Sequence, residues 1–130
     1  MTTTTTSTDS ASAIFNAINR RDFDQLEPLT TADVELLLPP GQLFEGRSGV
    51  ERFLRTLDEI LPDLILVAHH TYSGEDFSVV EWESFAHTAA DRESSGLGVT
   101  VMRFDGDRVS RIHLYLDTAE WARVLGDANP

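Results

Sequence analysis

Along most of the chain, the spacing of apolar side chains indicates the local element. Ala13, Ile14, Ala17 and Ile18 recur at helical spacing, which predicts a first helix over about residues 11–20. Asp22 is placed to cap a short second helix that turns Phe23, Leu26 and Leu29 to one side. Residues 34–38 read as a strand, stopped by Pro39-Pro40-Gly41. Ser48 and Glu51 form a capping-box pattern at the head of a helix whose stripe is Val50, Phe53, Leu54, Leu57, Ile60 and Leu61. Pro62 ends it. Strands then follow over residues 64–72, 77–88, 97–104 and 109–116. Their returns are Ser73-Gly74-Glu75, residues 89–93 and the hairpin signal Asp105-Gly106. Asp117-Thr118-Ala119-Glu120 is a capping box for a last helix carrying Trp121, Val124 and Leu125, with Asp117 as its N-cap.

Helices followed by a run of antiparallel strands predict an α+β domain, with the helices on one face of a curved sheet. Residues 11–126 are expected to form that single domain. The threonine-rich residues 1–10 are expected to be a disordered leader, and residues 127–130 a tail.

Composition narrows the function classes. The chain has 22 acidic against 10 basic residues, a net charge of −12. Such a surface repels phosphate backbones and anionic lipid, so neither a nucleic-acid nor a membrane partner is expected. No segment approaches the ~20 apolar residues of a membrane span. The absence of cysteine excludes disulfides and thiolate chemistry and is compatible with a reducing cytoplasm, the expected location. His69 and His70 are adjacent and point apart on a strand, so no metal site is expected. No glycine-rich phosphate loop suggests a nucleotide cofactor, and none is expected.

Glu81 and Glu83 are the candidates for chemistry. They lie two apart inside the apolar run over residues 77–87, so they share a strand face with Val79, Phe85 and His87. Two carboxylates about 7 Å apart in an apolar pocket would raise each other's pKa toward the range of a general acid or base. The alternation permits the opposite reading equally, with Val80, Trp82 and Ala86 in the core and both glutamates in water.

The order of elements and the residues that punctuate it resemble the NTF2-like (SnoaL-like) superfamily, a cone of helices over a strongly bent antiparallel sheet. The matching residues are Asp22-Phe23-Asp24, Asp33-Val34 with Pro39 and Gly41, and Gly46-Arg47-Ser48-Gly49-Val50. Asp105-Gly106-Asp107-Arg108-Val109 leading to Tyr115-Leu116-Asp117 also matches. The resemblance implies a cavity on the concave face, but the fold serves isomerases, cyclases, hydrolases and binding proteins alike. It places Ile14 and Leu38 where ketosteroid isomerases keep a tyrosine and a base. It places Leu36, Leu38 and Leu114 at polar positions of limonene-epoxide-hydrolase-like enzymes, and Thr100 where SnoaL-type cyclases keep a histidine. Aligned without a gap, it puts Glu81 and Glu83 at the Arg-x-Asp pair of the hydrolases, on the cavity face.

The remaining cavity would then be lined by Leu36, Leu38, Phe85, Thr100, Met102, Ile112, Leu114, Leu116 and Trp121, a surface suited to an apolar or aromatic small molecule. Val80, Trp82, His113 and Tyr115 would form an outer patch, so a homodimer is expected. The functional expectation is a cofactor-free acid–base enzyme on an apolar metabolite, with Glu83 as base or acid and Glu81 tuning it. The alternative is a non-catalytic binding or dimeric interaction protein.

Overall fold

A computed structural model describes residues 7–39 and 41–128. Helix α1 (Ser7–Asn19) leads through a 3-10 turn (Phe23–Leu26) to β1 (Thr30–Leu38), β2 (Gln42–Glu45) and helix α2 (Gly46–Ile60). Then come β3 (Ile65–Ser73), β4 (Phe77–His87), β5 (Glu93–Asp105), β6 (Arg108–Leu116) and helix α3 (Thr118–Ala128). The strands form one open sheet in the order β2-β1-β6-β5-β4-β3. The α+β fold is as expected, but β1 and β6 pair in parallel where an antiparallel sheet was predicted.

Several boundaries differ from the sequence reading. Helix α1 begins at Ser7, so residues 7–10 of the expected leader are helical, and Ser10 is buried with its hydroxyl donating to the Asp107 carbonyl. Met1 to Thr6 lie outside the described residues, as does Pro40 of the expected strand stop. Helix α2 starts at Gly46 behind Glu45, so Ser48 is an exposed first-turn residue rather than a cap. Strand β2, which the sequence pattern does not predict, is a four-residue edge strand, too short for alternation to show.

The concave face is best described in rows across the strands, because paired residues share a face. Leu36, Ile112 and Met102 make one row, ending at Ser78 on β4. Leu114, Thr100 and Val80 make the next, and Leu116, Gly98 and Trp82 the third. Gly96 with Ser84, then Ser94 with Ala86, continue toward the β4–β5 hairpin. Apart from Ser78 and the half-buried Leu114, the first two rows are bulky, buried side chains covered by α1 and α2, which supply Ile14, Phe15, Val50, Phe53 and Leu54. Beyond them β5 carries only Gly98, Gly96 and Ser94 on this face. A second cluster covers that end, formed by Leu61, Leu64, Ala86 and Val124 with Trp121 packed against it.

Candidate functional site

Where the concave face turns from large residues to small ones, the interior opens into a cavity of about 110 Å³. The strands contribute Leu38, Leu66, Trp82, Ser84, Ser94, Gly96, Leu114 and Leu116, with the exposed Leu97 at the rim. Helix α2 and the turn after it contribute Phe53, Leu57, Leu61 and Leu64, and α3 with its N-cap contributes Asp117, Glu120, Trp121 and Val124. The room comes from glycine and serine on β5. A Cβ on Gly98 would fall 2.2 Å from Cζ2 of Trp82, so the indole lies against bare backbone. Trp82 Nε1 donates to Thr100 Oγ1 at 2.8 Å, a buried hydrogen bond that fixes the ring.

Polar groups of the lining concentrate near α3. Asp117 Oδ1 accepts from the backbone N–H of Ala119 at 3.0 Å and of Glu120 at 3.1 Å, the N-cap role expected of it. Ser94 Oγ donates to Glu120 Oε1 at 2.9 Å, and Arg123 pairs with the same carboxylate. Hydrogen bonds from Arg123 and then Ser94 hold the Glu120 carboxyl below the usual range, so at neutral pH it is a carboxylate and no acid. Helix α3 is fastened at its other end by Asp127, which accepts from Thr88 Oγ1 and Arg92, both at 2.6 Å. The turn between α2 and β3 is fastened by Arg21, which donates to the carbonyls of Asn19, Leu64 and Pro62 and to Asp58.

Glu81 and Glu83 are not in this cavity. On β4 it is Ser78, Val80, Trp82 and Ala86 that are buried, so both glutamates and Phe85 lie on the outer face, and their expected place in the pocket is corrected. There Glu83 Oε1 meets His69 Nε2 at 3.0 Å, and the charge of Glu81 pushes the Tyr72 phenol above its ordinary pKa. Of the other expected lining residues, Leu38, Leu114, Leu116 and Trp121 line the cavity. Leu36, Thr100, Met102 and Ile112 share its face but are packed in the filled rows beside it. Val80 and Trp82, expected on the outside, are core, whereas Tyr115 is exposed and His113 half-buried. Among the described residues no cluster of His, Cys, Asp or Glu could hold a metal ion, and no helix is long and apolar enough to cross a membrane.

Comparison with known proteins fits this architecture. A family model described as a SnoaL-like domain matches residues 11–112. The chain belongs to the SnoaL-like family. An NTF2-like protein of unknown function from Burkholderia pseudomallei is 21% identical, with TM-score 0.84, over 91% of this chain and 95% of that one. A SnoaL-like polyketide cyclase from Agrobacterium tumefaciens is 22% identical, with TM-score 0.79, over 93% and 98%. TerC, co-crystallised with polyporic acid, is 16% identical, with TM-score 0.84, over 92% and 98%. At these identities the solved structures support the SnoaL-like fold and leave activity open. Comparison with curated proteins gives no match.

Proposed function

We propose that this SnoaL-like domain holds an apolar or aromatic small molecule between α2, α3 and the concave sheet. The observation that carries the reading is the pair of small residues on β5, Ser94 and Gly96, which leaves space in an interior otherwise walled by leucine and tryptophan. The cavity walls are mostly apolar, with a few polar groups gathered at one end, which is the usual make-up of a small-molecule site. That TerC was co-crystallised with an organic ligand is consistent with this use of the fold. Binding without turnover is favoured, because the two lining carboxylates are engaged in a helix cap and an ion pair. The place of Glu120 in the lining supports one second reading, a base acting on the bound molecule.

A thermal-shift screen of small aromatic and alicyclic compounds tests the proposal. A binder at a hundred times its Kd adds about 2.7 kcal/mol to stability. It should lose that effect in Ser84→Leu, which fills the cavity floor. No shift in the wild type, or equal shifts in both proteins, sinks the reading. If a binder is also turned over, loss of that turnover in Glu120→Gln supports the base. No turnover leaves a binding protein.

The outer face supports a homodimer, on a patch different from the one expected. Leu97 is 71% exposed, Ile65 52% and Tyr115 52%; Phe85 lies on β4 between Ile65 and β5, and Val67 stands beside Ile65 on the edge strand. Light scattering at micromolar concentration should give about twice the 14.5 kDa chain mass, falling to one chain mass in Leu97→Asp. A wild-type monomer would reject it. A cytoplasmic location belongs to the same proposal, and recovery outside the cytoplasmic fraction of the producing cell would reject it.

A further inference from the structure

The lining contains two carboxylates, Asp117 and Glu120, and no basic side chain. Both of its serines already use their protons within the protein. Ser94 Oγ donates to Glu120, and Ser84 Oγ donates to the Gly96 carbonyl at 3.4 Å. Trp82 Nε1 is spent on Thr100. What remains open toward a ligand is chiefly acceptor capacity on carboxylate and hydroxyl oxygens, together with indole surface and, on the donor side, the Trp121 N–H. A ligand carboxylate would meet no cation in the lining and two carboxylates, Glu120 partly offset by Arg123 and Asp117 by the N-terminus of α3. A ligand N–H or ammonium would meet acceptors at the α3 end, and its positive charge is also attracted to the face of an indole ring. The two basic residues nearest this end are committed, Arg123 to Glu120 and Arg92 to Asp127.

We propose that the cavity selects apolar molecules carrying a hydrogen-bond donor, small apolar amines above all, and rejects carboxylates. This rests on the ligand-binding reading above and specifies its chemistry. The amine would sit with its ammonium toward Asp117 and Glu120 and its hydrocarbon against the leucines.

Three probes of one size separate the effects: benzylamine, benzyl alcohol and benzoate, titrated at neutral pH and low salt by the fluorescence of Trp82 and Trp121. The order expected is amine, then alcohol, then benzoate. Each step should be about fivefold in Kd, the scale of one part-exposed charge interaction. Asp117→Asn keeps the capping oxygen and removes the charge, so it should narrow the amine-to-benzoate ratio about threefold while circular dichroism stays unchanged. If the alcohol binds as well as the amine the preference for amines is wrong, and if benzoate binds better the donor selectivity is wrong; in either case the cavity reading survives. An amine preference that persists unchanged in Asp117→Asn and in Glu120→Gln also overturns it, because the carboxylates would not be its source. Binding of none of the three refutes both the selectivity and the pocket for ligands of this size.

Discussion

Adding one methyl group at position 98 should cost the protein more than its size suggests. Glycine inside a strand is normally a weak point, and replacing it by alanine gains roughly 0.5–1 kcal/mol by restricting the unfolded chain. At Gly98 the new Cβ would lie 2.2 Å from Cζ2, 2.3 Å from Cη2 and 2.7 Å from Cε2 of Trp82. The indole is a rigid, buried plane tied to Thr100 by its N–H, so it has no flexible end to move aside. Overpacking of this kind costs about 1–3 kcal/mol, and leaving the indole N–H unpaired would add about 1–3 kcal/mol.

The net expectation for Gly98→Ala is therefore a loss of about 1–5 kcal/mol, or roughly 3–20 °C in Tm for a domain of this size. Gly96→Ala is the control. Its Cβ would make an ordinary 3.7 Å contact with Ser84 Oγ, so stability should hold or rise by up to about 1 kcal/mol. Calorimetry and urea titration of the two variants give the comparison. The two substitutions should move Tm in opposite directions or differ by several degrees. A Gly98→Ala protein as stable as the wild type would refute the contact between the indole and the β5 backbone, and with it the account of how the cavity is formed.

Arg21→Ala should cost about 1–3 kcal/mol, because it strips a charged donor from the carbonyls of Asn19, Leu64 and Pro62. A urea midpoint unchanged from the wild type would contradict that. Asp63 accepts from the His87 backbone N–H at 2.9 Å and lies 2.7 Å from its Nδ1. The hydrogen bond to Asp63 raises the pKa of His87, and the His87 backbone N–H, followed by its ring, lowers that of Asp63. A raised histidine pKa favours the fold below its unfolded value and loses that effect as pH climbs through the folded value. The lowered carboxylate loses its effect as pH falls through its own folded value. The pair thus supports the fold between these limits, and NMR titration of Asp63→Asn should return His87 toward about 6.5. An unmoved His87 pKa would show that the pair does not persist in solution.

Much of the fold could be read from the residues because α2, β5, β6 and α3 each carry a clear period. The stripe Val50, Phe53, Leu54 is buried as its spacing implies, and Gly106 adopts the positive φ its hairpin needs. The reading fell short where context overrode local signal. Ser94 and Gly96 look like loop residues, yet they extend β5, because β4 runs past them and pairs Ala86 with Ser94 and Ser84 with Gly96. The parallel pairing of β1 with β6 joins residues about eighty apart, and nothing local encodes it.

The site was half legible for a reason that β4 makes explicit. A one-residue slip in register moves every side chain of a strand to the other face. Placing Glu81 and Glu83 in the cavity was such a slip, confined to β4, since the readings of β1, β5 and β6 put Leu38, Thr100 and Leu114 on the concave side correctly. Thr100 is paired with Val80, so once Thr100 faces inward, Val80 and Trp82 must do so as well. Alternation alone could not decide, because β4 is apolar on both faces, with Val80, Trp82 and Ala86 inside and Val79 and Phe85 outside. A strand apolar on both faces fits a sheet covered on both sides, by helices on one and by a second copy on the other, as proposed. The glutamates are consistent with that cover, for Glu83 already has His69 and Glu81 acts on Tyr72, so neither would enter an interface as a bare charge.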